Sequence, residues 1–540
     1  MRQEPHSIPK RRTSTGTHVE TRPIYIEEWL DSLPYIDFNK TSQLLLEATA
    51  ETNKESIKPE ARLELVSLYH RPYQYYLESQ IKSGAQHTLQ SMETMQEQIA
   101  VLKQIAVNLG RACSLSIEEN LHRKTIWRQK KSPLPAMLMQ MHYLSHALIF
   151  SYLEYTPAPE NIWRELNGLY YHAENRGQQH TTVVPPGGGP NKDASTITNA
   201  YKCILLSSMV DPYHLPFGAI WEIYIQLRTW SEQARITAYE QTSDPAGIYV
   251  IDLEGDTPPI ACGKFDPATA QGSHRIIRTA ELGVLANKYL EQLNTGKGLD
   301  KDIRLSAFYA KQILTQMSTA WSLPAVRYSP RVRSEGPIQV TSGMNAIYFY
   351  LNGKQEFVEP RTQETEHVIT DVGGSNEPVT RWSQGYTLDQ WEIVDQGPGG
   401  FAICKKVKPK VPVKVGDLVG ITRDTGDDIT GNSLALGAIR WLLVSGDRDY
   451  KIGIQTIAAE IIPAAIRAVN GSAMDTRFNR AIIAGDFSDS GDNSVITSAG
   501  LFRANGEYVL IIGGKTLQVR TESLVETTAS FNYFTVVPLD

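Results

Sequence analysis

The chain has 540 residues, of which 41% are hydrophobic and 21% charged, and its formal net charge is −6. This composition is typical of a globular protein and excludes wholesale disorder. The acidic balance excludes a general binder of nucleic-acid polymers, because such a protein needs a broad basic field. At roughly 150 residues per domain, the length predicts about three or four domains.

The N-terminal residues 1–22 are polar, and we expect them to form a disordered tail. They lack the apolar core of a secretory signal, and no apolar run reaches the roughly 18 residues that span a bilayer. The four cysteines lie far apart without a C-x-x-C pair, which favours free thiols in a reducing compartment. The sequence therefore predicts a cytoplasmic protein without a membrane span.

Residues 23–320 are predicted to be mainly helical, because hydrophobic residues recur there with helical spacing. Several antiparallel helices with short links predict an all-α helical array. A short strand pair is expected within this region at 246–265. The stretches predicted as helices are 56–85, 94–113, 134–155, 158–177, 215–236, 279–296 and 305–321.

From about residue 325 the hydrophobic residues alternate with period two, and turn residues interrupt the pattern. Short strands at this spacing predict a small antiparallel β-barrel over 325–470. Residues 471–540 are also all-β and predict a second small barrel or sandwich. The fold class is therefore multidomain α+β. The stretches predicted as strands of the first barrel are 347–353, 391–407, 416–424, 434–447 and 449–457.

Three arginines, Arg327, Arg331 and Arg333, precede the first strand of the predicted barrel. Pro330 disfavours a continuous helix, so an extended segment would spread their guanidinium groups over a surface. These planar groups suit phosphate oxygens and the edge of guanine, and they can stack on a purine. The alternative interpretation is a solvated ion-pair cluster with Glu335.

The stretch 394–403 combines a carboxylate with glycines: Asp395 is followed by Gly397 and Gly400, and then by an apolar strand. A carboxylate here can accept hydrogen bonds from the N1–H and N2–H₂ groups of guanine. Glycines let a flat ligand approach the backbone closely. A plain hairpin turn is the alternative, because Asp followed by Gly-Pro-Gly-Gly is common turn chemistry.

Several short motifs follow one another in order: R-x-x-x-R at 327–331, D-x-G-x-x-G at 395–400, a V-G-D-L-V strand at 415–419, and G-A-I-R-W followed by I-G-I-Q at 437–455. This order resembles the PilZ domain, a small barrel that senses the bacterial second messenger cyclic di-GMP. The resemblance covers about residues 325–470. It implies that Arg327 and Arg331 hold the phosphates and guanines, that Asp395 binds a guanine, and that Gly400 is the closing glycine of the hairpin motif.

The sequence departs from the family pattern in two ways. Gly397 stands where the motif has a serine, which removes a hydrogen bond worth about 0.5–1.5 kcal/mol and predicts several-fold to roughly tenfold weaker binding. An insertion at 341–390 lengthens the gap before Asp395; it could be a lid, a partner surface or an extension. Arg381 and Trp382 within it could supply a further cation and a stacking surface, and the alternative for Trp382 is a role in the core or in a hairpin. Arg333 would replace Arg331 in a register shifted by two.

The sequence thus predicts a cyclic di-GMP sensor whose helical region transmits ligand binding to a protein partner. The alternative is a ligand-independent scaffold or adaptor with a degenerate PilZ barrel. We expect no enzyme, cofactor or metal site, because G-x-S-x-G and H-E-x-x-H motifs are absent from the sequence. The Asp-rich stretches 423–433 and 485–494 do not match a calcium loop and are interpreted as acidic hairpin loops.

Overall fold

The computed structural model of the chain divides into two compact units, Met1–Val326 and Arg327–Asp540. Within the described residues, no helix has both the length and the apolar character that crossing a bilayer requires. The structure describes residues 7–13, 16–85, 92–122, 132–184, 194–307, 309–322, 331–360, 385–423, 434–446, 449–469, 477–487 and 493–539.

The first unit is a helical array, as the sequence predicts. The central helix α5 is apolar on nearly every face, and it is buried against α4, α6, α7 and α8. The helices are α1 (Pro23–Asp31), α2 (Phe38–Lys54), α3 (Pro59–Ala85), α4 (Met92–His122), α5 (Leu134–Leu153), α6 (Ile162–Glu174), α7 (Ile197–Met209), α8 (Ala219–Trp230), α9 (Ala280–Asn294) and α10 (Ala310–Ser322).

A hairpin lies within the stretch that the sequence predicts to be a disordered tail. Its strands are β1 (Lys10–Thr13) and β2 (Gly16–Val19), which pair antiparallel. Ile8 and Val19 are buried in the hydrophobic core of the helical unit. Two apolar anchors in a polar segment therefore tie the hairpin to the helices, and local composition does not reveal such an anchor.

The expected strand pair at 246–265 is part of a larger antiparallel sheet. The strands β4 and β5 pair with each other, and β6 and β3 extend the sheet in the order β3-β6-β4-β5. The sequence missed β3 and β6 because each is only four or five residues long and directly adjoins helical segments. The strands are β3 (Arg235–Ala238), β4 (Ile248–Asp252), β5 (Ile260–Ala261) and β6 (His274–Arg278).

The second unit begins with a closed six-stranded antiparallel barrel. The strands pair in the order β8-β9-β10-β13-β12-β11, and β11 pairs with β8 to close the ring. The short strand β7 pairs with the end of β9, beyond the residues that pair with β8. The strands are β7 (Val332–Arg333), β8 (Pro337–Ser342), β9 (Asp389–Gly397), β10 (Gly400–Lys405), β11 (Leu418–Thr422), β12 (Ala435–Ser445) and β13 (Asp449–Ala458).

A second closed barrel follows, with the ring order β14-β15-β16-β19-β18-β17. Numbered by appearance in the chain, the strands of both rings run first, second, third, sixth, fifth, fourth, so the two barrels share one topology. The strands are β14 (Ile461–Ala468), β15 (Asn479–Ala484), β16 (Asn493–Ser498), β17 (Glu507–Ile512), β18 (Lys515–Thr527) and β19 (Phe531–Pro538).

The boundary between the barrels lies earlier than the expected one at residue 470, because β14 already belongs to the second ring. Only Ala459 and Glu460 separate β13 from β14, so no change of composition marks the transition. With this difference in bounds, the predicted architecture of a helical region followed by two small β-barrels is confirmed.

One element of the second unit contradicts the period-two pattern. The stretch 347–353 is predicted to be a strand, but it belongs to helix α11 (Met344–Leu351). The aromatic and β-branched residues favour a strand locally, whereas burial on several sides between the two barrels favours the helix. The core residues around α11 come from both barrels: Met344, Ile347, Tyr350, Leu351, Leu418, Leu436, Ile482, Ile496 and Phe531.

Candidate ligand site on the first barrel

An ion pair joins two of the predicted ligand residues on the outer face of the first barrel. Nη1 of Arg331 donates to Oδ1 of Asp395 at 2.7 Å, and about a third of each side chain is exposed. Arg331 lies directly before β7, which pairs with β9 through Val332 and Arg333. The short strand β7 therefore holds Arg331 beside the carboxylate.

A β-bulge sets the direction of the Asp395 side chain. Along β9, Ile393 is paired with Ile403, but Asp395 is paired with Ala402, so Val394 is the extra residue. Ile393 and Ile403 are buried inside the barrel. Because opposed residues of a sheet share a face, Asp395 and Ala402 lie together on the outer face.

The same row of residues continues around the barrel, and we call Asp395, Ala402, Gly453 and Trp441 the platform. Ala402 is paired with Gly453 of β13, and Gly453 is paired with Trp441 of β12. The indole of Trp441 lies over Gly453 so closely that a Cβ on that glycine would be 1.8 Å from Nε1. A carboxylate at one end and an indole at the other thus flank two small residues that are themselves buried, so a flat ligand would contact the indole and the carboxylate.

The β9–β10 hairpin closes one side of this surface. Gly397 is paired with Gly400, and the connection between them has two residues, Pro398 and Gly399. Gly400 has φ of +150°, and a Cβ there would lie 2.0 Å from the carbonyl oxygen of Ile454. Gly400 is therefore required by the backbone itself, whatever the ligand.

The remaining predicted ligand residues are placed as follows. Arg333 is opposite Asp395 in the β7–β9 pairing, but its guanidinium group lies 3.8 Å from Glu335 and its side chain is 88% exposed. This is the solvated ion pair that the sequence offers as an alternative for the arginine segment. Arg327, Arg381 and Trp382 lie outside the described residues, as does most of the Asp-rich stretch 423–433.

The sequence does not predict a role for two residues at the rim of the platform. Arg440 and Trp441 stand in a quoted motif, but only the pairing register shows that they share a face with Asp395. A bulge in β12 places both opposite Gly453, since Ile439 is paired with Ile454 and Trp441 with Gly453. The spacing of the motifs along the sequence does not show how these strands pair, so it does not show which side chains share a face.

The shared topology also reveals a second copy of the hairpin motif. The connection from β15 to β16 has the same place in its ring as the β9–β10 hairpin. Its sequence, 486–491, reads D-x-S-x-x-G, with the serine that Gly397 replaces in the first barrel. Asp486 is exposed two residues after the end of β15, while residues 488–492 lie outside the described part. The residue types of this stretch alone indicate only an acidic hairpin loop.

Among the described residues, no three His, Cys, Asp or Glu side chains are arranged to hold a metal ion. The fold and the site thus define a chain with a helical N-terminal unit and a PilZ-type barrel that carries an arginine–aspartate pair on its outer face.

Comparison with known proteins matches this description. Residues 25–242 match the family model described as the N-terminal domain of the cyclic-di-GMP receptor FimW, and residues 248–379 match its middle PilZ domain. The relative named cyclic-di-GMP receptor FimW, from Pseudomonas aeruginosa, is 22% identical to this chain over an alignment 582 positions long. The alignment covers 98% of this chain and 93% of the relative. Because the two models together match more than half of the chain, the chain belongs to the FimW family of PilZ-domain proteins.

The family assignment confirms the resemblance drawn from the motifs. The middle PilZ match at 248–379 overlaps the stretch predicted to be PilZ-like, 325–470, only in its first part. The overlap includes the arginine segment, β7, β8 and α11, while Asp395 and the hairpin lie beyond the matched residues.

Proposed function

We propose that this chain binds cyclic di-GMP on the outer face of the first barrel, and that it is a receptor and not an enzyme. The observation that carries the proposal is the ion pair of Arg331 with Asp395 beside Ala402, Gly453 and Trp441 of the platform. The relative named as a cyclic-di-GMP receptor aligns along nearly the whole chain, which supports the same ligand here.

In this proposal Arg331 and Asp395 separate, and each then pairs with a group of the ligand. The Asp395 carboxylate accepts from N1–H and N2–H₂ of a guanine, and Arg331, released from Asp395, pairs with a phosphate. The ion pair is about one-third exposed, so opening it costs at most about 1 kcal/mol. Hydrogen bonds to charged groups contribute about 1.5–3 kcal/mol each, so the exchange favours the bound state.

The first prediction concerns these two charged residues. In titration calorimetry, we expect Asp395→Ala to weaken cyclic di-GMP binding roughly 100-fold, because two hydrogen bonds to a charged acceptor are lost. Arg331→Ala should weaken binding less, about tenfold, since it removes a phosphate contact but also frees the carboxylate. Rising salt should weaken binding by the wild-type chain.

Two matched variants sharpen this experiment. Arg333→Ala removes an exposed guanidinium group from the same segment and should change the affinity less than threefold. Asp486→Ala removes the corresponding carboxylate of the second barrel. If only Asp486→Ala weakens binding, the ligand occupies the second barrel; if the wild-type affinity persists in Asp395→Ala and Arg331→Ala, the assignment to the first barrel is wrong.

The second prediction concerns the indole at the far end of the platform. Stacking of a base on an aromatic side chain contributes about 1–3 kcal/mol, so Trp441→Leu should weaken binding roughly tenfold or more. Trp441→Phe keeps a ring over Gly453 and should retain most of the affinity. Equal affinities for Trp441→Leu and the wild type, with unchanged thermal stability, would remove Trp441 from the site.

The helical unit is proposed to transmit ligand binding to a protein partner, and the chain to act in the cytoplasm. All four cysteines are free thiols, which fits a reducing compartment. A ligand-independent adaptor remains the second candidate, because Gly397 lacks the motif hydroxyl and Arg331 is already satisfied by Asp395. Absence of any heat of binding at micromolar chain would favour the adaptor.

A further inference from the structure

Arg440 lies at the rim of the platform, and its guanidinium group is hydrogen-bonded to the second barrel. It is the extra residue of the β12 bulge, directly before Trp441, and both face outward opposite Gly453. About a third of the Arg440 side chain is exposed. The bulge therefore places a cation next to the indole, although an unbroken strand would turn one of these two side chains inward.

The partners of Arg440 come from both barrels. Its Nε donates to Oε1 of Gln455 at 2.7 Å, and Gln455 is paired with Gly400 of the hairpin. Its two terminal nitrogens donate to both carboxylate oxygens of Glu526 in β18, with Nη2 to Oε2 at 2.8 Å. A single side chain thus links the hairpin side of the platform to the second barrel.

The segment that supplies Glu526 is irregular. The β18–β19 pairing shifts register between Thr521 and Leu524, and again between Leu524 and Glu526. Leu524 and Val525 are exposed large hydrophobic residues within this irregular stretch. Fewer regular ladder bonds hold this part of β18, so Glu526 can move away at lower cost than a residue of a regular strand.

We propose that Arg440 is a further ligand-binding residue, and that Glu526 of the second barrel competes with a phosphate of the bound dinucleotide for its guanidinium group. This inference rests on the proposed function of the first barrel. A phosphate offers the same two-oxygen geometry as the Glu526 carboxylate, so the two acceptors exclude each other. Ligand binding then loosens the contact between the barrels, and the second barrel lowers the affinity of the first.

The test compares variants of the full chain by titration calorimetry with cyclic di-GMP. Glu526→Gln, which keeps the size of the side chain, should tighten binding about threefold to tenfold and steepen its salt dependence. Arg440→Ala should weaken binding about tenfold, and adding Glu526→Gln to Arg440→Ala should bring no gain. Glu522→Gln, an exposed residue of the same strand, removes the same charge and should change the affinity less than twofold.

A second measurement follows the contact itself. On ligand addition, amide hydrogen exchange in 521–527 should accelerate in the wild-type chain and stay constant in Arg440→Ala. If Glu526→Gln binds no more tightly than the wild type, or if exchange in β18 is unaffected by ligand, the competition does not occur. Failure of the proposed function is distinct, because the wild-type chain would then show no binding, or binding insensitive to Asp395→Ala.

Discussion

Gly400→Ala is expected to destabilise the first barrel by about 3 kcal/mol or more, whereas Gly399→Ala in the same hairpin should leave its stability nearly unchanged. At Gly400 φ is +150°, a conformation that L-residues avoid. The added Cβ would also lie 2.0 Å from the carbonyl oxygen of Ile454 and 3.0 Å from Cα of Gln455. Both atoms belong to the backbone of β13, which is paired on both sides and cannot yield cheaply.

Gly399 is a close control for this substitution. It is the adjacent residue, its φ lies outside the left-handed range, and an added Cβ would meet nothing within 4 Å. Alanine there restricts the unfolded chain, which offsets small losses in the folded state. Any large difference between the two variants therefore reports the backbone requirement at Gly400.

The difference can be measured in urea titrations combined with hydrogen exchange of the amides in β10 and β13. Strong deprotection of these strands in Gly400→Ala, with the helical unit unaffected, is the expected pattern, because the two units are separately compact. Wild-type protection in Gly400→Ala would show that the hairpin adapts. Gly400 would then be explained by ligand binding, as its place in the motif suggests, and not by a requirement of the backbone.

The sequence predicts those elements whose local pattern agrees with their final environment. Helices α9 and α10 and the β9–β10 hairpin were located because periodicity and turn residues coincide there. Helix α11 was missed because its aromatic residues alternate like a strand, and only the space between two barrels makes it a helix. The boundary at β14 was misplaced because two barrels of one topology carry the same strand pattern on both sides.

The candidate site was predictable only in its charged groups. Arg331 and Asp395 stand in short motifs, and the structure brings them to 2.7 Å. Trp441 faces Asp395 across Ala402 and Gly453 because of bulges in β9 and β12. A bulge changes the face of every residue beyond it, and neither bulge can be recognised from residue types alone.

Acidification is expected to destabilise the helical unit strongly, because it contains buried neutral histidines. His146 of α5 is 2% exposed, and its Nδ1 is 2.8 Å from the hydroxyl of Tyr73 in α3. The ring of His142, one turn earlier, lies 4.0 Å from that of His146. Burial lowers the pKa of His142 to about 3, and it lowers the pKa of His146 well below its usual range.

The positively charged neighbours of the pair also oppose its protonation. The neighbours whose charge affects the pair are His70 of α3 and Arg228 of α8, and positive charge on either lowers the histidine pKa values further. The other rings close to the pair are aromatic. They belong to Tyr73, Tyr143, Phe150, Trp221 and Tyr224.

The sign of the effect follows from proton linkage. Below pH ~6.5, the ordinary pKa of histidine, the unfolded chain binds protons at these two histidines, whereas the folded unit does not. The free energy of unfolding therefore falls as pH decreases, by up to about 1.4 kcal/mol per pH unit for each refused proton. For His142 this loss continues down to about pH 3, where the folded unit also binds the proton. Down to about pH 4, two such residues remove up to about 7 kcal/mol, which is a large part of a total stability of roughly 5–15 kcal/mol.

Urea titrations at a series of pH values, followed by far-UV circular dichroism, measure this slope for the helices. His146→Asn keeps a hydrogen-bonding atom near the Tyr73 hydroxyl and should reduce the slope by about one proton, as should His142→Asn. His180→Asn, at an exposed position, controls for the loss of a histidine as such. If both cluster variants keep the wild-type slope, the folded unit accepts protons at these residues, and the acid sensitivity has another source.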